Sequence, residues 1–292
     1  MYSEIAANKR KTWLIIASFA LLIGGLGWIA SQLYGQPYFT YAALFGAAVW
    51  ALIQYFAAAK LALAMNGAHE IAKKDNPRLY RTVENLSIAT GMPMPKVYII
   101  DDPAPNAFAT GRDPKHAVVA ATTGLLNIMD DTELEAVMAH ELGHVKNYDI
   151  RVMMIVFGLV SAIGFIADML SHFFWFSGGD DNDSPNPIFI VLAIVAAILA
   201  PFLALLIQMA VSRRREYLAD STGAMTTRYP EGLARALEKI RGHGSTMRRQ
   251  NTSTAHLFFA NPLKGKSLAK LFSTHPPVED RIKRLREMGT HL

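Results

Sequence analysis

Residues 140–144 read His-Glu-Leu-Gly-His. Imidazoles four positions apart share one face of a helix, so both can point at one metal ion. Glu141 lies about 100° around such a helix from His140 and can reach a water held on that ion. The metal brings the pKa of its water towards neutrality, and a neighbouring carboxylate takes the proton as the water attacks a peptide carbonyl. The competing reading is a solvent-exposed helix face, for which a chance match is on the order of one in a hundred in such a chain.

Two histidines leave a catalytic site one ligand short. Cysteine is absent, which excludes a disulfide framework, a thiol nucleophile and a thiolate site, so His, Asp or Glu must complete it. Glu216, in Arg215-Glu216-Tyr217-Leu218-Ala219-Asp220, follows an apolar run directly, as the His-Glu-Leu-Gly-His segment directly precedes one. Asp220, one helical turn further on, can accept the outer N–H of a ligand histidine and fix its tautomer. From spacing alone, an ion pair of Glu216 with the Arg213–Arg215 run fits equally well. Nitrogen and oxygen ligands point to zinc, one ion per chain.

The elements that position these residues include four apolar runs, Trp13–Tyr34, Tyr38–Ala59, Val152–Phe176 and Ile188–Val211. Each reaches the ~20 residues needed to cross a hydrocarbon core. Trp13, Tyr34 and Trp175 sit at run ends as candidate interfacial anchors, whereas Trp50 does not. A cleaved signal peptide is the rival reading of the first run, disfavoured by its length and by the lack of a small-residue cleavage site before Tyr34. All 29 Lys and Arg residues lie within residues 1–12, 60–151 and 212–292. The connections Gly35–Pro37 and Ser177–Pro187 carry none, and the second holds Asp180, Asp181 and Asp183. This asymmetry predicts an integral cell-membrane protein with four spans, both termini and the metal site being cytoplasmic. The formal charge of +5 is explained by topology, so no nucleic-acid partner is invoked.

Between the second and third runs, Asn76-Pro77 predicts an N-cap and first helical position, with a helix to about Thr90 stopped by Gly91. Lys96–Asp101, Asn106–Thr110 and Ala117–Ala121 predict a small sheet of two to four strands, with Gly111-Arg112-Asp113 near a turn. Asp130 and Glu133 form a capping-box pattern opening a helix from about Asp131 to Asn147. After the fourth run, Arg213–Thr222 and Glu231–Gly242 read as helices, and Pro276-Pro277 opens a last one through Met288. Residues 243–270 read as a loop, whose Leu257-Phe258-Phe259 is either a contact for lipid headgroups or substrate or a buried apolar corner. No internal repeat is present.

Four spans, His-Glu-Leu-Gly-His, the downstream Glu216–Asp220 (Glu-Tyr-Leu-Ala-Asp) and a late Ser273–Pro277 (Ser-Thr-His-Pro-Pro) together resemble the HtpX membrane proteases, relatives of the eukaryotic prenyl-protein endopeptidases. The resemblance covers nearly the whole chain in order and spacing. It implies that His140, His144 and Glu216 bind zinc, that Glu141 is the general base and that Asp220 supports a ligand from behind. It also implies a role in quality control, cutting misfolded or damaged membrane proteins. A tetrahedral intermediate needs an oxyanion donor besides the metal. His275, held by the following prolines, is the candidate, and a histidine capping the last helix is the rival. Asn106, Ala107 and Phe108 are candidates for a sheet edge that pairs with an extended substrate, unless Phe108 is simply core.

Asp168 and His172, also four apart but near the outward end of the third run, read as water-exposed helix-end residues. His69, His116, His243, His256 and His291 read as surface. A protease with its metal helix inside the bilayer is disfavoured by Asp130, Asp131, Glu133, Glu135, Lys146, Asn147 and Asp149, which surround the motif. A structural metal site in a membrane scaffold, closed by His275, would have no need of Glu141. The fold class expected is mainly α with a small β-sheet: a four-helix transmembrane anchor carrying a cytoplasmic zincin-like metallopeptidase domain. Its segments are residues 1–65 and 152–211 for the anchor, 66–151 and 212–292 for the catalytic part. The partners expected are polypeptide substrates and the lipid bilayer.

Overall fold

The computed structural model describes residues 2–177, 213–244, 246–251, 253–263 and 276–290. Two long helices open the chain, α1 (Tyr2–Tyr34) and α2 (Tyr38–Met65). Within them Ile5–Gln32 and Tyr38–Met65 are long and apolar enough to cross a membrane. Much of their apolar surface faces outward, with Leu21 77% and Phe45 73% exposed, as suits side chains solvated by lipid. The third run lies in α6 (Asp149–Ser177), which meets α5 (Asp131–Lys146) at a 78° bend. The pair makes a third candidate span if taken as one. The fourth run, Ile188–Val211, lies outside the described residues, as do the side chains of Asp168 and His172. Trp50, inside α2, donates from Nε1 to the Gly158 carbonyl at 3.1 Å and so ties α2 to α6.

The polar part holds a four-stranded sheet of β1 (Ala68–Glu70), β2 (Lys96–Ile100), β3 (Ala107–Gly111) and β4 (Ala117–Thr122) in the order β1-β2-β4-β3. The central pair β2 and β4 is parallel, with Ile99 opposite Ala121. The outer pairs are antiparallel, with His69 opposite Ile99 and Phe108 opposite Ala120. The three expected strands are present; β1, only three residues long, has too little pattern to be read from sequence.

Helix α3 (Pro77–Thr90) begins as its residues dictate, Asn76 accepting from the Leu79 N–H and Pro77 at the first position. It ends at Gly91, whose φ of 66° is left-handed and costs glycine little. A short α4 (Thr123–Ile128) leads into α5, which starts on the Asp130–Glu133 capping box. Three more helices follow among the described residues: α7 (Arg213–Thr227), α8 (Pro230–His243) and α9 (Val278–Gly289).

The metal-motif helix α5 is buried along most of its length, Glu133 to Val145 apart from Glu135. Leu134, Val137, Met138 and Leu142 pack in one core with Leu79 and Val83 of α3, Val97 and Val119 of the sheet, and Leu233 and Leu237 of α8. Each such apolar side chain contributes about 1.5–3 kcal/mol by leaving water. Leu257, Phe258 and Phe259 are buried to 3% exposure or less, so the apolar-corner reading of that patch stands and the headgroup contact does not. His256 corrects its surface reading: it is 2% exposed, with Nε2 3.0 Å from the Met153 carbonyl oxygen.

Candidate metal centre

His140 and His144 project from one face of α5, as their spacing requires, and their Nε2 atoms lie 3.1 Å apart. Glu216, on the first turn of α7, brings Oε1 to 3.5 Å from His144 Nε2 and Oε2 to 3.9 Å from His140 Nε2. Zinc bonds of about 2.0–2.1 Å in a tetrahedron put ligand atoms roughly 3.3 Å apart. The three donors straddle that spacing, and their two nitrogens and one oxygen suit a borderline ion, so they could hold one. All three side chains are at most 6% exposed. Glu141, between the histidines in sequence, is 2% exposed, and its charge acts on both His144 and Arg281.

The close approach of α5 and α7 makes this possible. A Cβ added at Gly223 would stand 3.0 Å from the His140 backbone nitrogen, and one at Gly143 would stand 3.5 Å from Ala219. With glycine at the tighter of these points, Gly223, the helix axes can come near enough for Glu216 and Asp220 to reach the imidazoles.

Each histidine has a carboxylate behind it. His140 Nδ1 is 2.9 Å from Asp220 Oδ1, the arrangement expected from spacing. His144 Nδ1 is 3.0 Å from Asp149 Oδ2, a partner that the sequence reading passed over. Asp149 opens α6 just after Tyr148, whose φ of 60° turns the chain back towards the motif helix. The second missed residue is Arg281 of α9. Its Nε and Nη2 donate to the two Asp220 oxygens at 2.9 and 2.7 Å, its Nη1 is 3.9 Å from Glu216, and it is 1% exposed. Its guanidinium also lies over Phe259, whose ring stands edge-on to His140 at 5.0 Å between centroids.

These surroundings split the two imidazoles. Burial pushes His140 down to about 4, against the pull of Asp220. Burial also works against His144⁺, yet the bond to Asp149 and the charges of Glu216, Asp149 and Glu141 raise it to about 9. Burial would raise Asp220, but the Arg281 charge, with bonds to His140 and Arg281, holds it at about 2.

Asn106, Ala107 and Phe108 are fully buried, and β3 is an edge strand as anticipated. That edge already carries the chain's own segment. Phe108 bridges Phe258, and the Phe259 N–H donates to the Ala107 carbonyl at 2.8 Å. The Asn106 side chain accepts from the Ala260 N–H at 3.0 Å and donates to its carbonyl at 2.7 Å. His275 lies outside the described residues.

The profile described as peptidase family M48 matches residues 73–289, which takes in α5, α7 and α9. The chain belongs to peptidase family M48. It is a metalloprotease. Its curated relatives include a protease HtpX homolog of Tropheryma whipplei (strain Twist), 58% identical over 291 residues and covering 99% of both chains. Another, from Dictyoglomus thermophilum, is 46% identical over 291 residues, 99% of this chain and 95% of its own. Among solved structures, that of Ste24p from S. mikatae superposes with a TM-score of 0.53 at 19% identity. It covers 98% of this chain and 67% of that one, a likeness of fold. The M48 match thus takes in both the histidine helix and the helix of Glu216.

Proposed function

We propose that this chain is a zinc-dependent endopeptidase of the cell membrane that cuts misfolded or damaged membrane proteins at the cytoplasmic face. The observation that carries the reading is the convergence of His140, His144 and Glu216 within 4.8 Å of one another, beside a buried Glu141. When bound, zinc supplies a Lewis acid and lowers the pKa of a water. Glu141 receives the proton of the attacking water and later passes it to the leaving amine. Asp220 and Asp149 hold the two imidazoles by their outer nitrogens, so that both inner nitrogens stay turned to the ion. His275 donates to the oxyanion from the segment before α9.

Four spans, with residues 66–151 and 212–292 forming the catalytic part on one side, account for the confinement of every Lys and Arg to three segments. The quality-control role is what the resemblance to the HtpX proteases implies for a protease in a membrane. An extended substrate pairing along Asn106, Ala107 and Phe108 takes the edge that Phe259 and Ala260 hold.

The test is cleavage of an unfolded model protein by detergent-purified chain, wild type beside Glu141→Gln, with zinc content measured for each. About one zinc in both, and cutting by the wild type alone, is the expected result. A variant that cuts as fast as the wild type removes Glu141 from its role. Zinc in both without cutting by either would favour a structural site.

A further inference from the structure

Helix α1 does more than fill a span. Asn8, just over one turn before the apolar run begins at Trp13, is 2% exposed and points into the polar part of the protein. Its Nδ2 donates to Asp149 Oδ1 at 2.7 Å and to the Asn147 carbonyl at 2.9 Å. Both N–H bonds of the amide are therefore spent on the short link between α5 and α6, about 140 residues away in sequence. Asp149 is the carboxylate whose other oxygen holds His144 Nδ1.

A carboxylate 1% exposed, with one oxygen on an imidazole, can still swing about its χ2 unless the second oxygen is fixed. Arg215 Nε, at 3.8 Å from Oδ1, is too far to fix it by a hydrogen bond. The short bond from Asn8 does so. The second bond from Asn8, to Asn147, pins the residue that ends α5 and so sets where Asp149 starts α6. The Asn8 carbonyl accepts from Thr12 Oγ1 at 2.9 Å, a bond within α1 that does not touch the side-chain amide.

We propose that Asn8 is a positioning residue of the metal centre, acting through Asp149 on His144. The first membrane helix thereby becomes part of the zinc site. This rests on the reading of His144 as a metal ligand.

The experiment titrates Zn²⁺ into metal-depleted full-length protein in detergent against a chromophoric chelator, with the melting temperature of each apo form recorded. The variants are Asn8→Ala, Asn8→Asp, Thr12→Val and His144→Ala. Asn8→Asp keeps the shape but has no N–H to offer. Thr12→Val disturbs the same turn of α1 without touching Asp149. Loss of an outer partner typically costs 10–100-fold in metal affinity. Asn8 acts one bond further out, so both Asn8 variants are expected to weaken zinc binding on the order of tenfold. Thr12→Val should bind as the wild type does. His144→Ala should lose the site altogether. Wild-type affinity in Asn8→Ala or Asn8→Asp, whatever the melting temperature, overturns the proposal. So does an equal loss in Thr12→Val, which would trace the effect to helix packing. If His144→Ala binds zinc as tightly as the wild type, the metal-site reading itself fails, independently of Asn8.

Discussion

Gly223 of α7 lies against the backbone of His140, close enough that a methyl group there would stand 3.0 Å from the histidine nitrogen. The contact is backbone to backbone, so no side chain can swing aside to relieve it. Gly223→Ala should push α7 away from α5 by a few tenths of an ångström and take Glu216 and Asp220 with it. Both are on the same helix, one and two turns before the glycine. Zinc affinity should fall roughly tenfold, as when an outer partner is lost, with a smaller loss of stability. Competition with a chelator measures the first and thermal unfolding the second. An unchanged affinity would show that the helix crossing does not set the ligand spacing.

Arg281 forks both oxygens of Asp220. Arg281→Lys keeps the charge but gives up the two-pronged grip. Catalytic efficiency and zinc affinity should each drop on the order of tenfold. Arg281→Met removes the buried cation that faces Asp220, leaving the carboxylate only His140, and should cost about 3–5 kcal/mol of stability. Denaturant unfolding of the two variants separates these effects. If the lysine variant cuts and binds as the wild type does, Asp220 needs no fork.

The two imidazoles predict a proton count. Without metal, His140 at about 4 is neutral at pH 7, whereas His144 at about 9 carries a proton. Zinc requires both inner nitrogens deprotonated, so binding should release about one proton at pH 7. The sign follows: a raised pKa makes the proton a competitor, so affinity weakens as pH falls below about 9, roughly tenfold per unit. Calorimetry in two buffers of different ionisation enthalpy counts the proton directly. No release at pH 7 would mean that His144 is neutral in the apo protein.

The parts of the site that were legible in the sequence are those set by local geometry. His140, Glu141 and His144 follow from helical periodicity, and the Asp130–Glu133 box marks the start of their helix. Glu216 and Asp220 needed the topology of the spans and the resemblance, since α5 and α7 are about 70 residues apart in sequence. Asp149 was hidden by its turn: it follows a tyrosine at φ 60°, a conformation that no sequence pattern announces. Arg281 stands among Arg284, Arg286 and Lys283 on an amphipathic helix, where a buried arginine looks like one more surface charge. Asn8, beside Lys9, Arg10 and Lys11, reads as an ordinary flank of a membrane span. In each case long-range packing, not local propensity, assigns the role.

The N-terminal cap of α5 offers the opposite kind of test, one that should move stability and leave the chemistry alone. Asp130 accepts from the Glu133 N–H at 2.9 Å, and Glu133 Oε2 accepts from the Asp130 N–H at 2.8 Å. The box sits at the far end of α5 from the histidines, over two turns before His140. Glu133 is also held at 2.6 Å by Lys239 of α8, so the helix start stays pinned when the aspartate is lost. Asp130→Ala should therefore cost about 1 kcal/mol, the usual worth of such a cap. Zinc affinity and cleavage rate should remain within twofold of the wild type, because the imidazoles are fixed by Asp149, Asp220 and the core around Leu142. Denaturant unfolding and the chelator titration, run on one preparation, decide it. A large loss of zinc affinity with a small loss of stability would mean that α5 moves as a rigid rod from its cap. The ligand positions would then depend on the whole helix rather than on the carboxylates behind them.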